Sequence, residues 1–213
     1  MTDLSIGIVG VSPGNGHPYS FASIINGYDD EGFEQSNWGV IHDYLREKDS
    51  AEFGFPGVRV THAWTQDSKE TATLCEAACI PNQTDEFAEL CEMVDAVIIA
   101  RDDPDSHIRT ALPALEAGLP VFVDKPLTVN YSELDTFRPY LQSGQLMSCS
   151  GLRYARELDT FRGNPDTGEV QLVTGVTVKD WERYSPHLLD PLLQVTDVRP
   201  VAVRHVPSPH ESV

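Results

Sequence analysis

The chain has 213 residues, enough for one domain of ordinary size or for one domain and part of a second. A hydrophobic fraction of 40% and a charged fraction of 23% exclude a wholly disordered chain, and no apolar run reaches the roughly eighteen residues a transmembrane helix needs. Against 33 Asp+Glu stand 15 Lys+Arg, a net charge of −18, so there is no basic footprint for nucleic-acid phosphates and an anionic membrane would repel the chain. Met1-Thr2-Asp3-Leu4-Ser5 has no basic n-region, so no secretory signal is expected, and the 4 cysteines read as cytoplasmic thiols rather than a disulfide framework.

Leu4–Val11 is a short apolar, β-branched run and predicts a buried strand. Ser12-Pro13-Gly14-Asn15-Gly16-His17-Pro18 is a tight loop, followed by a short helix over Tyr19–Asn26 that Gly27 closes. Residues 28–56 are acidic and poorly periodic, apart from a helix over Val40–Lys48, and read as an insertion. Gly57–Trp64 alternates as a second strand, and Ser68–Cys79 has helical spacing with Cys75 and Cys79 on one side. Those two thiols do not complete a zinc site and read as core residues. Thr84-Asp85-Glu86-Phe87 opens another helix with acids in its first turn.

Ala96–Ala100 is a further buried strand, and the acidic run Asp102-Asp103-Pro104-Asp105 after it reads as a solvated loop capping the next helix, with cation binding as the alternative. Ser106–Ala117 is a helix ended by Gly118, Leu119–Val123 a strand, Ser132–Leu141 a helix and Gln145–Ser150 a strand. Such alternation predicts an α/β fold, a Rossmann-like doubly wound parallel sheet over residues 1–150. Ligands of such sheets bind beyond the carboxyl ends of the strands, where the loops 12–18, 101–107 and 124–127 fall. After Gly151 the pattern changes: an alternating strand over Val170–Lys179, a helix near His187–Leu193 and a short strand over Val201–Val206. This reads as the start of a truncated α+β domain over 151–213.

Dinucleotide folds set a pyrophosphate against backbone N–H groups at a helix N-terminus. Here the G-x-G-x-x-G register lands on Gly10, Ser12 and Asn15, or on Gly14, Gly16 and Tyr19, and is complete in neither case. The loop's position supports phosphate binding; a ligand-free Gly/Pro turn is the alternative. Thr65 or the displaced Asp67 stands where an acid would meet the adenosine ribose, and Trp64 either flanks adenine or packs in the core. Lys125, at the mouth of a buried strand and followed by Pro126, could steady an alkoxide, hold a ribose hydroxyl or be a surface lysine. His187 has the chemistry of an acid/base group, since imidazole titrates near neutral pH, or else is a packed or capping histidine.

Leu4–Gly16, Asp95–Ala100, His107 and Ala114-Leu115-Glu116-Ala117-Gly118-Leu119-Pro120-Val121-Phe122-Val123-Asp124-Lys125-Pro126-Leu127 together resemble the Gfo/Idh/MocA family of glucose–fructose oxidoreductase and inositol dehydrogenase-like proteins. The family hallmark Glu-Lys-Pro reads Asp124-Lys125-Pro126 here. The resemblance runs over about residues 4–206 and is most specific over 95–127. It implies an NAD- or NADP-dependent dehydrogenase acting on a sugar, cyclitol or related alcohol, and a homo-oligomer where the second domain is complete; the thiols and the N-terminus point to a cytoplasmic location. It implies Lys125 beside nicotinamide and substrate and His187 as the acid/base. Cofactor contacts are expected from Gly10, Ser12, Gly14, Asn15, Gly16 and His17, from Trp64 and Thr65, from Ala100, Arg101 and His107, and from Asp124, Lys125 and Pro126. His107 alternatively packs beneath its loop.

The family often carries Asp one helical turn before that histidine. The position holds Arg183, so the role is lost or passes to Asp180 or Asp190. A non-catalytic dinucleotide-binding or partner-binding protein is the alternative that this departure and the incomplete glycine motif support.

Overall fold

The computed structural model describes residues 3–163, 168, 170–204 and 206. They fall into two compact units, divided between Ser148 and Cys149.

The first unit is built on six parallel strands: β1 (Leu4–Val9), β2 (Val58–Trp64), β3 (Asn82–Gln83), β4 (Ala96–Ile99), β5 (Val121–Val123) and β6 (Leu146–Met147). Their order is β3-β2-β1-β4-β5-β6, so the chain winds outward from β1 in one direction and then in the other. β1 and β4 are neighbours, with Ile8 opposite Ile98 and Val9 opposite Ile99. The loops leaving them diverge at the point where the winding reverses, the crevice in which α/β sheets bind ligands.

Alternation along each strand sorts the core into two layers. Ile6 and Ile8 point to one face, with Tyr19, Phe33, Leu45, Val60 and Leu74. Val9, Val97, Ile99, Val121 and Val123 point to the other, with Leu90, Leu115 and Phe137. Strands buried on both faces read as continuous apolar runs, which is why β1, β4 and β5 were visible as such. The first layer is covered by α1 (His17–Asn26), α2 (Asp30–Glu34), α3 (Gly39–Arg46) and α4 (Ser68–Ala77), and the second by α5 (Phe87–Met93), α6 (Pro104–Glu116) and α7 (Tyr131–Ser143).

Three differences from the sequence expectation have local causes. Five residues are too few for a helical period, so α2 escaped notice; its N-terminus is capped by Asp29, whose Oδ1 accepts the Gly32 N–H at 2.8 Å. Strand β3 is two exposed residues that exist through pairing with β2, and it carries no apolar signal of its own. Asp103 sits at the N-cap of α6, but its carboxylate pairs with Arg101 instead of capping.

Gly32 also fixes how α2 lies on α4: a Cβ there would stand 2.7 Å from the Ala77 backbone nitrogen. A helix backbone cannot yield as a side-chain tip can. Gly32→Ala should therefore destabilise the first unit by about 1–3 kcal/mol, the usual cost of overpacking. A lower urea midpoint with an unchanged slope would show it.

In the second unit, residues 151–154 and 156–158 form single 3-10 turns and α8 spans Trp181–Thr196. Asp180 caps α8, its Oδ1 accepting the Arg183 N–H at 2.9 Å. The expected strand over Val170–Lys179 does not form, nor does one over Val201–Arg204; His205, inside that predicted strand, lies outside the described residues. The described part of this unit shows helix and turn. Alternation equips a chain for pairing, but a strand exists only where a neighbour completes its ladder, and none of the described residues does so. Leu172, Val176 and Val178 stand exposed as a result.

Candidate nucleotide site and candidate catalytic residues

Gly10 ends β1 at φ +81°, a conformation glycine adopts without penalty. Its N–H donates to the Trp64 carbonyl at 2.8 Å, and a Cβ would lie 2.5 Å from Cδ of Arg101. The following loop is held from three sides. The Ser12 hydroxyl donates to Asp102 Oδ1 at 2.7 Å. The Asn15 amide donates to the Ala100 carbonyl at 3.1 Å while its Oδ1 accepts the His17 N–H at 2.8 Å, so one buried side chain caps the start of α1 and ties it to the end of β4. The Gln66 amide completes the set, accepting the Val11 N–H at 3.3 Å and donating to the Val11 carbonyl at 3.1 Å. Gln66 had no assigned part in the sequence, and Asp102, expected in a solvated helix cap, instead holds Ser12; each acts through a side-chain contact to a residue more than fifty positions away.

Between this loop and the end of β2 runs a groove of about 390 Å³, lined by Val11 to Gly14, Trp38, Thr65, Gln66, Asp67, Glu70 and Arg101. A Cβ on Gly14 would meet nothing within 4 Å, so the backbone is open to an approaching group there. Gly16, the N-cap of α1, packs beneath Trp38 and Ile41. The start of a helix, an open backbone turn and a polar strand end on one groove fit the pyrophosphate and ribose of a dinucleotide.

Thr65 lines the groove, but its hydroxyl is engaged with the Asp67 carbonyl at 2.8 Å and Thr71 Oγ1 at 2.9 Å. Asp67 caps α4 through the Lys69 N–H at 2.9 Å. Glu70 accepts the Tyr19 hydroxyl at 2.8 Å, and burial, then this carboxylate, push the phenol above its ordinary range. Trp64 is absent from the groove. Its ring packs 5.7 Å from Phe87 and its Nε1–H donates to the Asp85 carbonyl at 3.2 Å, because strand alternation turns it toward the second layer.

At the end of β5, Asp124 and Lys125 are both buried, Lys125 only 4% exposed. The Lys125–Pro126 peptide is cis. Asp124 accepts the Lys125 N–H at 2.8 Å on Oδ1, and its Oδ2 lies 2.5 Å from His17 Nδ1. A carboxylate only accepts, so that ring nitrogen carries the proton. The glycine loop and the lysine segment thus share one carboxylate. His107 joins two further loops, its Nε2 at 3.0 Å from the Arg101 carbonyl and its Nδ1 at 2.9 Å from that of Leu127. Its side chain has no exposure, and it supports these loops from below, the packing alternative for this residue. Arg101 pairs with Asp103 at 2.6 Å; burial raises the Asp103 carboxyl, and the guanidinium more than offsets this to hold it below its ordinary value.

In the second unit, His187 Nδ1 lies 2.7 Å from the hydroxyl of Ser150. Asp190 Oδ2 accepts the Ser150 N–H at 2.6 Å. Arg183, at the position where the resemblance implies an aspartate, leans toward Asp180 at 3.8 Å and is half exposed. Asp180 is occupied as a helix cap, and Asp190 accepts the N–H of Ser150, whose hydroxyl meets His187. No group of three or more metal-binding side chains occurs among the described residues. Cys75 is packed against the first layer, where burial pushes its thiol up to about 11.

A six-stranded parallel sheet in this order, with helices on both faces, defines a Rossmann-like domain. Residues 32–147 match the Gfo/Idh/MocA model, described as an oxidoreductase family with an NAD-binding Rossmann fold, and the chain belongs to that family. No curated protein matches the sequence. Among solved structures it resembles scyllo-inositol dehydrogenase from Lactobacillus casei with bound NAD(H) and scyllo-inositol, at 16% identity and TM-score 0.61 over 92% of this chain and 57% of that one. It also resembles the UDP-N-acetylglucosamine 3-dehydrogenase GnnA from Acidithiobacillus ferrooxidans, at 17% and 0.59 over 99% and 60%. A third is myo-inositol 2-dehydrogenase from Lactobacillus plantarum, at 19% and 0.53 over 78% and 42%. At these identities the likeness bears on the fold. The chain spans between 42% and 60% of the length of these relatives.

Proposed function

We propose that the protein is an NAD-dependent dehydrogenase of a sugar, cyclitol or related polyhydroxy alcohol, with the first unit as its cofactor domain. The observation that carries this reading is the buried Lys125, fixed through its own N–H on Asp124 at the carboxyl end of β5 in a chain of this family. A bound nicotinamide would supply the hydride-accepting ring. The chain supplies the rest. The loop 10–17 and the start of α1 hold the pyrophosphate, and Thr65 and Asp67 meet the adenosine ribose. Lys125 orients the reacting oxygen and stabilises negative charge as it develops there, and His187, in the second unit, is the candidate acid/base group.

Groove electrostatics support NAD over NADP. Asp67 and Glu70 line the groove, Arg101 is already paired with Asp103, and Lys69 faces a separate groove with Asp29, Glu31 and Glu76. A 2′-phosphate would therefore meet carboxylates without a compensating cation, and like-charge juxtaposition is costly. Calorimetric titration of the whole protein should give a Kd for NAD at least about tenfold below that for NADP, a difference of about 1.4 kcal/mol. Equal or tighter binding of NADP would overturn the preference. Failure of both cofactors to bind the folded protein at millimolar concentration would overturn the dehydrogenase reading itself. With NAD bound, a panel of cyclitols and sugars scored for reduced-nicotinamide absorbance identifies the substrate class.

A further inference from the structure

We propose that Glu70, held in place by Tyr19, decides which nucleotide the groove accepts: a carboxylate supplied by α4 receives the adenosine ribose hydroxyls and turns away a 2′-phosphate. The proposal rests on the reading of this groove as the nicotinamide nucleotide site. Dinucleotide folds usually give that task to an acid at the end of the second strand. Here Thr65 stands at that place. Its hydroxyl is engaged with the Asp67 carbonyl at 2.8 Å and Thr71 Oγ1 at 2.9 Å, and it carries no charge to repel a phosphate. Asp67 does carry one, but it is exposed and its Oδ1 already accepts the Lys69 N–H at 2.9 Å. Water and salt screen such a charge.

Glu70 differs on both counts. It is half-buried, it lines the groove together with Gly14 and Trp38, and its Oε1 accepts the Tyr19 hydroxyl at 2.8 Å. Tyr19 has no exposure; its ring lies 5.9 Å from that of Phe33 and 6.1 Å from that of Trp38 between centres. A hydroxyl at the end of a packed ring cannot follow a carboxylate that swings, so the carboxylate is held instead. Tyr19 also belongs to α1, three residues beyond its N-cap Gly16. The same contact therefore fixes Glu70 relative to the helix start that the pyrophosphate would meet. A carboxylate accepts several donors and Tyr19 is one, which leaves lone pairs for ribose hydroxyls. In its half-buried place the charge is screened less than that of Asp67. Arg101, the cation among the lining residues, pairs with Asp103 at 2.6 Å and donates to Ser106 at 2.9 Å.

Calorimetric titration of the whole protein with NAD and with NADP reads the proposal through the ratio of the two Kd values, which a general loosening of the fold does not move. Glu70→Gln keeps the length of the side chain and an oxygen for the Tyr19 hydroxyl but removes the charge. It should weaken NAD about tenfold and tighten NADP about tenfold, closing the ratio by about 100-fold. Asp67→Asn should move the ratio less than about threefold, even where it weakens both nucleotides. Tyr19→Phe leaves the carboxylate charged but unheld and should close the ratio by about 3–10-fold. A folded Glu70→Gln whose ratio stays within about tenfold of the wild type, or a larger shift in Asp67→Asn, would overturn the assignment of Glu70 while the nucleotide reading stands. An unmoved ratio in Tyr19→Phe would overturn the part given to Tyr19. If neither nucleotide binds the folded wild type, the nucleotide reading falls and the proposal falls with it.

Discussion

Replacing Lys125 by methionine will lower turnover of the whole protein by about 10²–10³-fold, the loss expected when one preorganised charge-stabilising donor is removed from a water-poor site, worth about 3–4 kcal/mol of barrier. Methionine keeps most of the buried stem and removes only the ammonium, so the packing around residue 125, which is almost wholly buried, is largely preserved. Lys125→Ala should show the same loss with an added cavity. Lys125→Arg should also fail, because a planar five-donor fork does not reproduce a compact ammonium at a fixed point. Steady-state rates with saturating cofactor, together with the thermal midpoint of each variant, separate loss of chemistry from loss of fold. Wild-type turnover in Lys125→Met would remove the central residue of the mechanism.

His187→Ala should cost about 10²–10⁴-fold, the range for a positioned general base. The sign of its pH dependence follows from the chemistry. In alcohol oxidation the neutral imidazole is the active form, so the wild-type rate falls as pH drops and the ring becomes protonated. The alanine variant should lack that limb and run flat across it, with hydroxide or solvent as the remaining base. A limb that survives His187→Ala unchanged assigns the titration to another group.

The fold of the first unit was legible because its central strands are buried on both faces. Ile6–Val9, Val97–Ile99 and Val121–Val123 had to be apolar and β-branched wherever they appeared in the chain. Asn82–Gln83 shows the converse: an edge strand that buries nothing leaves no mark in composition. The segment over 170–179 misled in the other direction, since alternation belongs to the chain and pairing belongs to its surroundings.

The site divides in the same way. Its sequence-local parts, the glycine loop and Asp124-Lys125-Pro126, stood out as candidates from residue type, position and the family resemblance. Its pairings were not: His17 meets Asp124 across 107 positions and Ser150 meets His187 across 37, and no spacing rule connects such residues. Trp64 carried a misleading signal, because an aromatic at a strand end suits adenine equally well on paper; only the turn of β2 decides that it faces Phe87.

Asp124 has a consequence for anyone redesigning this protein. Its two oxygens serve two masters, the ring of His17 at the mouth of α1 and the peptide N–H of Lys125. Cofactor preference could be re-engineered around Thr65, Asp67 and Glu70 without disturbing that carboxylate, because none of the three touches it. Grafting a different glycine loop that omits His17 could not. Such a graft would strand a buried carboxylate oxygen beside the lysine, and a change meant to alter which nucleotide is accepted would be felt as a loss of reaction rate.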